Sequence, residues 1–504
     1  MSTNTPVLNP TWYGNIRDMF TEIDIQHMGN QGLDLTDYDT VKDQASSIYS
    51  YVKSGAMPPG APWPADQVQT FNNWMTTGYP KGVPAKIVST AAALAGSVAS
   101  RVRKSITSLS PNEVSVLTTA FNGIMQLSPT DLNSYFNLAG YHGNPGYFCS
   151  HHVPKFLPWH RAHLLAFENA LRTIPGCANV TLPYWDFSEL TKSPAELPAI
   201  LNQAPFASYT VPSSAPTSPN IGGFVTSRYT AAQIATNFTD YSVLADLDRA
   251  AQQTSFEAYN GYIDRKPNNT AIAAHDGGHV SIGSTMANQS IAAFDPIFWF
   301  YHCNLDRLYW EWQQNMHATT LNGLLTTIVS AQSRKVFTDP PSEAMPPFSV
   351  SPYNWTTVNT VDSIGSLDVA YTTPGSQVAT TMVTGTDGNV KASRKFSVVD
   401  NVVNVRVKGI NRLKIPGSFK VHLMKDDKVI ASRAFFQPDD ADKCPNCVDN
   451  AMVHFDFNLP IGDASGGQLG VWVEPLDHSK FGDHFPNKLM GNPTVNARLL
   501  LSTE

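Results

Sequence analysis

Residues 142–168 read HGNPGYFCSHHVPKFLPWHRAHLLAFE, a stretch with five histidines. Three of them, His142, His151 and His160, follow one another at intervals of nine residues. The residues from His160 onward are good helix formers, which predicts a rigid helix that carries this histidine. Several imidazoles without a carboxylate pair or a thiolate cluster favour copper or zinc over magnesium or calcium, which prefer oxygen ligands.

Residues 275–312 read HDGGHVSIGSTMANQSIAAFDPIFWFYHCNLDRLYWEW and contain three further histidines. His275 and His279 are four residues apart, so a helix would place both imidazoles on one face, one turn apart. His302 follows 23 residues later, in a segment with the pattern of a buried helix. The two glycines between the first pair each cost about 1 kcal/mol relative to alanine in a helix interior. We expect packing, or the metal itself, to hold that turn.

Two separate histidine triplets fit a centre with two metal ions better than a zinc hydrolase site. A zinc hydrolase usually has one three-ligand site with an open position and a general base such as the Glu of HExxH. The helical pair here reads HDGGH instead. The residues alone therefore favour a dinuclear centre whose ligands are all imidazoles.

Three strings resemble the copper-A and copper-B signatures of the tyrosinase, catechol oxidase and haemocyanin family, the type 3 copper proteins. They are FLPWHRAHLLAFE at 156–168, LPYWDF at 182–187 and AAFDPIFWFYHCNLDRLYW at 292–310. With weaker matches between them, the resemblance covers residues 10–374. It implies two copper ions as cofactors. The implied copper-A ligands are His142, His151 and His160, and the implied copper-B ligands are His275, His279 and His302.

The resemblance also bears on two residue types beside these ligands. Cys149 precedes His151 by two residues, the spacing at which several family members join a cysteine sulfur to the imidazole ring by a thioether. A buried free thiol is the alternative. His152 and His163 stay outside the ligand set, because a histidine beside a metal site more often supports a ligand or belongs to the core.

The sequence departs from the family pattern at three positions near the metal site. Asp276 stands where strong monophenolases often have Asn, and we hypothesise that it accepts the proton of a bound phenol. Its alternative role is to orient His275 through a hydrogen bond. Asn260 aligns with the family glutamate that anchors a water molecule, with Glu257 close by. Tyr301 replaces the histidine that normally precedes the last ligand.

Composition narrows the classes of partner. The formal net charge of −7 and the pI of about 6.0 argue against nucleic acid or an anionic membrane as a partner. No stretch approaches the ~20 apolar residues of a membrane span. The N-terminal sequence MSTNTPVLNPTWYGN lacks a charged region followed by an apolar core, and five cysteines are too few for a disulfide framework. We expect a cytoplasmic protein, with secretion alongside a carrier partner left open.

Changes in composition along the chain predict its domains. Residues 188–255 and 336–360 are rich in Pro, Ser, Thr and Asn without periodicity, so we expect long irregular loops over a mainly α-helical domain. This catalytic domain is assigned to residues 1–374 and is expected to close near Tyr371. Residues 375–393 are polar and rich in Gly and Thr, as in a linker.

Residues 394–504 are predicted to form an all-β domain. Short β-favouring runs such as VVNVRVKG, SFKVHLMK and MVHFDFNLP alternate with turn signals, the pattern of an antiparallel sandwich or barrel. The domain resembles the C-terminal domain that covers the copper pocket in latent polyphenol oxidases and haemocyanin units. A domain that only stabilises the protein or mediates oligomerisation is the alternative.

Two adjacent aromatic residues of this β domain are candidates for the group that covers the copper pocket. Phe435 and Phe436 fall on one predicted strand, so their rings point to opposite faces and only one can join the core of the domain. By resemblance to shielded tyrosinases, Phe435, nine residues before Cys444, is the preferred plug residue, and Phe436 is the alternative. Packing of both rings inside the domain or along its interface stays open.

Cys444 and Cys447 form a CxxC motif without a second CxxC and without a thioredoxin-like pattern. Soft thiolates select Cu(I). Some fungal tyrosinases carry a CxxC in this domain that is associated with copper incorporation, so we hypothesise a role in copper handling. A disulfide that closes a loop is the alternative.

The activity implied by the resemblance is oxidation of phenols by O₂. It comprises ortho-hydroxylation of monophenols and oxidation of o-diphenols to o-quinones, in an enzyme that is latent until the C-terminal domain moves or is cleaved. A catechol oxidase or an o-aminophenol oxidase is the first alternative, and a haemocyanin-like oxygen carrier is the second. The expected partners are small-molecule phenols, catechols and O₂. The oligomeric state is left open, a homo-oligomer included.

Overall fold

The computed structural model of the protein describes four main segments of the chain. These are residues 6–80, 101–264, 273–372 and 402–500, apart from residues 9, 22–23, 26, 29–30, 32, 36, 59–61, 192–193, 218–219 and 465. The predicted linker at 375–393 lies outside the described residues. No helix among those segments is both long enough and apolar enough to cross a membrane.

The chain divides into two compact units. The first unit comprises Met1–Ala95, Thr254–Phe256 and Glu311–Arg334, and the second comprises Gly96–Gln253, Glu257–Trp310 and Lys335–Glu504. The second unit contains both histidine stretches and the β-rich C-terminal region. The division into domains at residues 374 and 394 stays a prediction.

The described α-helices outnumber the strands and lie mainly before residue 344. They are α1 Tyr38–Asp43, α2 Ala45–Ser54, α3 Ala65–Thr76, α4 Pro111–Gln126, α5 Tyr135–Gly140, α6 Phe156–Arg172, α7 Ala231–Asp240, α8 Val243–Ala251, α9 Phe256–Ile263, α10 Ala274–Ile282, α11 Ile297–Asn315, α12 Leu321–Leu325, α13 Ala331–Thr338, α14 Pro340–Glu343, α15 Pro445–Asp449 and α16 Ile461–Ala464.

Within the described residues, the strands form three small sheets. They are β1 Arg101–Arg103, β2 Val369–Tyr371, β3 Val402–Asn411, β4 Phe419–Lys425, β5 Lys428–Phe435, β6 Met452–Pro460, β7 Leu469–Pro475 and β8 Thr494–Leu500. β1 and β2 pair in parallel, while the antiparallel sheets have the orders β6-β3-β8 and β5-β4-β7. Apolar side chains of both antiparallel sheets share one core. A mainly helical protein with a sandwich-like β region confirms the predicted fold class.

In the first unit, α1 and α2 carry an apolar stripe with helical spacing. Val41, Ala45, Ile48 and Val52 are all buried, as their 3.6-residue period requires. The indole of Trp74 packs in the same core and donates a hydrogen bond to the carbonyl oxygen of Pro80 (3.0 Å).

In the second unit, α4, α6 and α11 build the helical core. α4 begins with a reciprocal capping box, in which the Ser110 hydroxyl accepts from the Glu113 amide and the Glu113 carboxylate accepts from the Ser110 amide. The rings of Phe167 on α6 and Trp299 on α11 stack 3.6 Å apart. Every residue from Phe156 to Glu168 is buried, so the first histidine stretch lies in the middle of this core.

The prediction that residues 188–255 form an irregular loop is wrong in its last third. Two helices, α7 and α8, lie there, and α7 begins with a capping box between Thr230 and Gln233. Its apolar residues, Ile234 and Phe238, are four apart and buried. Polar residues on the exposed face of α7 obscured this period in the sequence.

A buried network of ion pairs joins β1, α6, α11 and β2. The Arg103 guanidinium donates to Glu168 (2.9 Å) and to the hydroxyl of Tyr371 (2.7 Å). That hydroxyl donates to Asp306 (2.5 Å), which also accepts a hydrogen bond from Arg161 (2.6 Å). Since α6 carries His160 and α11 carries His302, this network holds the two histidine helices together, with Asp306 one turn beyond His302.

Replacing Tyr371 by Phe should lower the free energy of unfolding by about 1–3 kcal/mol, because buried Arg103 and Asp306 each lose a hydrogen-bond partner. Denaturant unfolding followed by tryptophan fluorescence measures this loss. Tyr147, whose side chain is exposed, is the matched control, and Tyr147→Phe should change stability by less than about 0.5 kcal/mol. Equal effects of the two substitutions would contradict the role given to the network.

Candidate metal centre

Six buried histidines form two triads in the second unit. His142, His151 and His160 form one triad and His275, His279 and His302 form the other, and in each triad one ring nitrogen per residue lies within 4.8 Å of the others. The triads face each other: the rings of His160 and His302 stack at 4.5 Å, and those of His151 and His275 at 5.2 Å. The structure thus brings together all six histidines singled out in the sequence, as two groups of three.

Three of the imidazoles are aimed by a hydrogen bond at Nδ1. The Nδ1 atoms of His160 and His279 lie 2.9 Å from the carbonyl oxygens of Phe156 and Met286. The Nδ1 atom of His275 lies 3.1 Å from a carboxylate oxygen of Asp276. A ring nitrogen that faces an acceptor carries the proton, so the opposite nitrogen, Nε2, presents a lone pair.

The two glycines in α10 have a steric explanation. A Cβ on Gly278 would overlap the hydroxyl of Tyr301, which donates to the carbonyl oxygen of His275 (3.1 Å). A Cβ on Gly277 would lie 3.0 Å from a methyl group of Val243. Close packing of Tyr301 and α8 against the helix therefore offsets the low helix propensity of the glycines, as we expected for this turn.

The six side chains fit metal ions. Nε2 of His160 and Nε2 of His275 are buried without a hydrogen-bond partner. Nε2 atoms of His142 and His151 lie 3.2 Å apart, and those of His279 and His302 lie 3.0 Å apart. Two imidazole nitrogens that share one ion at ~2.0–2.1 Å have about this separation. Burial lowers the pKa of all six imidazoles, which keeps them neutral as metal binding requires.

Asp276 is the centre of a second layer of contacts. Its carboxylate receives hydrogen bonds from His275, from Nε2 of His152 (3.2 Å) and from the backbone amide of Phe436 (3.2 Å). Nδ1 of His152 lies 3.1 Å from the guanidinium of Arg412. Because Arg412 can only donate, Nδ1 of His152 accepts, and its Nε2 proton points at Asp276. These contacts support the orienting role of Asp276; proton acceptance stays a hypothesis.

Sequence reasoning missed Arg412 and Asp264. Arg412 lies in the β-rich region, and its run, INRLKIPG, has no signal for a site. Burial lowers the pKa of its guanidinium to about 10, so it stays charged at neutral pH. Asp264 is buried and accepts a hydrogen bond from the backbone amide of His152 (2.5 Å). With His152 and Asp276 it forms a further buried His/Asp group, beside the positive charge of Arg412.

Asn260 and Glu257, both buried, lie on α9. The side-chain amide of Asn260 donates to the carbonyl oxygen of Val153 (3.4 Å), in the segment that carries His151 and His152. Asn260 thus lies beside the segment that carries His151, and its catalytic role at the position of the family's water-anchoring glutamate stays a prediction. His163, excluded from the ligand set, contacts the carbonyl oxygen of Leu138 through Nε2 (2.7 Å).

Phe436, not Phe435, is the ring that lies against the histidine triads; Phe435 stacks on His152 (5.0 Å), which belongs to neither triad. The ring of Phe436 stacks on that of His279 at 4.1 Å and lies 5.6 Å from that of His275. The ring of Phe435 packs in the β core, 4.9 Å from that of Phe419. The preference for Phe435 is therefore corrected: strand alternation puts consecutive rings on opposite faces, and the β core takes Phe435.

Cys149 and Cys447 are buried, and Cys444 is half-buried. The thiol of Cys149 receives a hydrogen bond from Gln289 (3.1 Å), and burial raises its pKa to about 12. The thioether between Cys149 and His151 stays a prediction. Cys444 and Cys447 form a disulfide, which is the loop-closing alternative, and Cys447 accepts a hydrogen bond from Arg412 (3.3 Å). A role in copper handling stays a prediction.

Comparisons with known proteins agree with this geometry. Residues 132–315 match the family model described as the common central domain of tyrosinase. The chain is 26% identical to a tyrosinase of Aspergillus oryzae over 450 residues, which cover 64% of this chain and 81% of that protein. It is 30% identical to hemocyanin 2 of Megathura crenulata over 230 residues, which cover 43% of this chain and 6% of that protein.

Solved structures share the fold. A tyrosinase from Burkholderia thailandensis superposes with a TM-score of 0.56 at 20% identity and covers 79% of this chain and 100% of its own. A functional unit of octopus hemocyanin gives a TM-score of 0.55 at 17% identity and covers 79% of this chain and 99% of its own. Proteins of this family bind two copper ions, and the two histidine triads of this chain could hold them.

Replacing His160 or His302 by Ala should lower the copper content from two ions per chain to one, since the altered triad would keep only two imidazoles. Metal analysis of the purified variants measures this change. His317 is exposed and lies outside both triads, so His317→Ala should keep both ions. Full copper content in the His160 and His302 variants would contradict the ligand assignment.

Proposed function

Since this chain is a tyrosinase-family copper protein, we propose that it oxidises phenols with O₂. The proposed activity is ortho-hydroxylation of monophenols and oxidation of o-diphenols to o-quinones. The observation that supports it is the pair of buried histidine triads that face each other. When bound, a copper pair supplies the binding and reduction of O₂. We further propose that the β-rich C-terminal region keeps the enzyme latent.

The residues of this chain would contribute orientation and a dry environment. His160, His275 and His279 keep their Nε2 atoms directed at the metal positions through their Nδ1 contacts. The triads are lined by aromatic rings: Phe298 packs against His302 at 4.2 Å and Phe156 against His160 at 4.4 Å. Such walls exclude bulk water, which strengthens electrostatic interactions at the centre.

Latency is supported by the position of Phe436. Its ring is fully buried and stacks on His279, so it occupies the space that an aromatic substrate would need near these imidazoles. Its backbone amide donates to Asp276. A tethered group competes with a free substrate at an effective concentration that can reach about millimolar, which is enough to mask a site of ordinary affinity.

Two further polar contacts hold the β-rich region on the helices. The guanidinium of Arg433 on β5 donates to Asp246 of α8 (2.6 Å) and to the carbonyl oxygen of Tyr241 (3.1 Å). Arg433 and Asp246 are both buried. Removing one partner of a buried pair leaves an uncompensated charge, which is strongly unfavourable. These contacts support a closed resting arrangement.

An oxygen carrier is the second candidate, and the ring of Phe436 stacked on His279 favours it. A carrier needs a copper pair that binds O₂ and excludes phenols, and a ring stacked on His279 would exclude them. The two candidates differ in what happens when the β-rich region is displaced. A latent enzyme then begins to oxidise phenols, whereas a carrier exposes its copper pair without gaining this activity.

Oxygen uptake tests the proposal. The copper-loaded protein is assayed with tyrosine, a catechol and an o-aminophenol, before and after limited proteolysis. We expect low uptake before proteolysis and a rise of at least about tenfold afterwards, as expected when a tethered competitor at about millimolar concentration is removed. Uptake with the catechol or the o-aminophenol but not with tyrosine would indicate one of the narrower oxidases. No uptake in either state, with reversible O₂ binding, would indicate the carrier.

Phe436→Ala should raise catechol oxidation by the intact chain, because it removes the ring on His279, and should leave the proteolysed enzyme unchanged. Steady-state rates for a small and a bulky catechol measure the effect. Phe481, in the β-rich region and partly exposed, is the control, and Phe481→Ala should leave the latency intact. A folded Phe436 variant that stays as latent as its parent would show that the ring does not block substrate.

A further inference from the structure

The sheet β5-β4-β7 carries a group of histidines and carboxylates on the face opposite its apolar core. Val421 and Val473 point into the β core, so their strand neighbours point to the other face. There the register places Lys420 of β4 opposite Glu474 of β7 and His422 beside them. His478 follows β7. None of these residues belongs to the histidine triads or to the contacts around Asp276.

Two imidazoles converge on the carboxylate of Glu474 from different parts of the chain. Nε2 of His422 lies 2.9 Å from one carboxylate oxygen, and Nε2 of His478 lies 3.6 Å from the other. Each ring is held at its second nitrogen. Nδ1 of His422 lies 2.8 Å from the hydroxyl of Ser432, and Nδ1 of His478 lies 2.9 Å from the carboxylate of Asp483.

This arrangement is typical of histidine ligands to a metal. A ligating histidine usually donates its other ring proton to a carboxylate, a backbone carbonyl or water, which fixes the orientation of the ring, and His478 with Asp483 has this form. His478 shows the need for a cation most clearly. With its Nδ1 proton on Asp483, a neutral ring points a lone pair at Glu474. A lone pair and a carboxylate repel each other unless a proton or a metal ion lies between them.

We propose that His422, Glu474 and His478 bind one divalent transition-metal ion, Zn²⁺ or Cu²⁺, separate from the two coppers of the histidine triads. Imidazole and carboxylate ligands suit both ions. Ser432 and Asp483 orient the two rings. The site is reachable from solvent, since 47% of the side-chain surface of His478 is exposed. Nε2 of His478 lies 3.6 Å from Glu474, so its exposed ring must rotate towards the carboxylate when an ion binds.

Binding requires two further local changes, both compatible with the contacts. The proton of His422 moves from Nε2, which faces Glu474, to Nδ1, and the hydroxyl of Ser432 turns from donating to accepting at Nδ1. Lys420, whose ammonium lies 2.9 Å from Glu474, gives up one carboxylate oxygen. It can turn into a cavity of about 430 Å³ that it lines with Tyr229 and Tyr241.

The competing interpretation needs no metal. In it, His478 is an imidazolium shared by Glu474 and Asp483, and the group is only an exposed network of ion pairs, whose energetic value is small. The two interpretations differ in whether an added ion is bound at a defined stoichiometry.

Titration of the copper-loaded protein with Zn²⁺, followed by calorimetry and metal analysis, tests the proposal. We expect one Zn²⁺ per chain in addition to the two coppers. His478→Ala should abolish this binding, and Asp483→Asn should weaken it by about 10–100-fold. The control is His484→Ala, because His484 stacks on Trp472 (4.1 Å) instead of facing Glu474.

Cu²⁺ gives a second readout on the same variants. A single Cu²⁺ ion at this site should give the paramagnetic resonance of an isolated copper with nitrogen ligands, and the signal should disappear in His478→Ala but not in His484→Ala. No stoichiometric ion beyond the two coppers in the parent protein would overturn the proposal. Unchanged Zn²⁺ binding by a folded His478→Ala variant would overturn it too.

Discussion

The structure depends on one constraint: six imidazoles must be buried without charge and must still point their free nitrogens at two positions. Burial keeps the rings neutral but leaves their orientation undefined. Orientation comes from acceptors placed behind the rings, a carbonyl oxygen for His160 and His279 and a carboxylate for His275. Helices supply these acceptors at fixed distances. The network around Arg103 and Asp306 then fixes the two helices that carry His160 and His302 against each other.

Much of this was predictable from the sequence because the signals are local. Histidine spacing, helix formers after His160 and the alternating runs beyond residue 394 all reflect periods of 3.6 or 2 residues. The grouping of the six histidines into two triads followed from resemblance, and the geometry agrees with it. The helix α7 was missed even though Thr230 and Gln233 form a capping box, because the prediction gave more weight to the polar composition of the segment.

The remaining features depend on contacts between distant parts of the chain. Arg412 reaches His152 across 260 residues, and no local period announces such a contact. The choice between Phe435 and Phe436 shows the same limit. Alternation predicts that the two rings face opposite ways, but which ring belongs to the core depends on the strand's neighbours, here Phe419 and Phe455. A shift of one residue reverses the answer.

Asp276 couples the orientation of His275 to the position of Phe436. The same carboxylate orients His275 and accepts the backbone amide of Phe436. When Phe436 moves away, the carboxylate therefore loses one of the donors that fix its position. Conversely, a change in the orientation of His275 alters the acceptor of the Phe436 amide. By thermodynamic reciprocity, a metal ion that favours the aligned imidazole favours the closed β-rich region to the same extent. If the β-rich region opens as proposed, the open protein should hold the copper of the triad His275, His279 and His302 less firmly than the closed one.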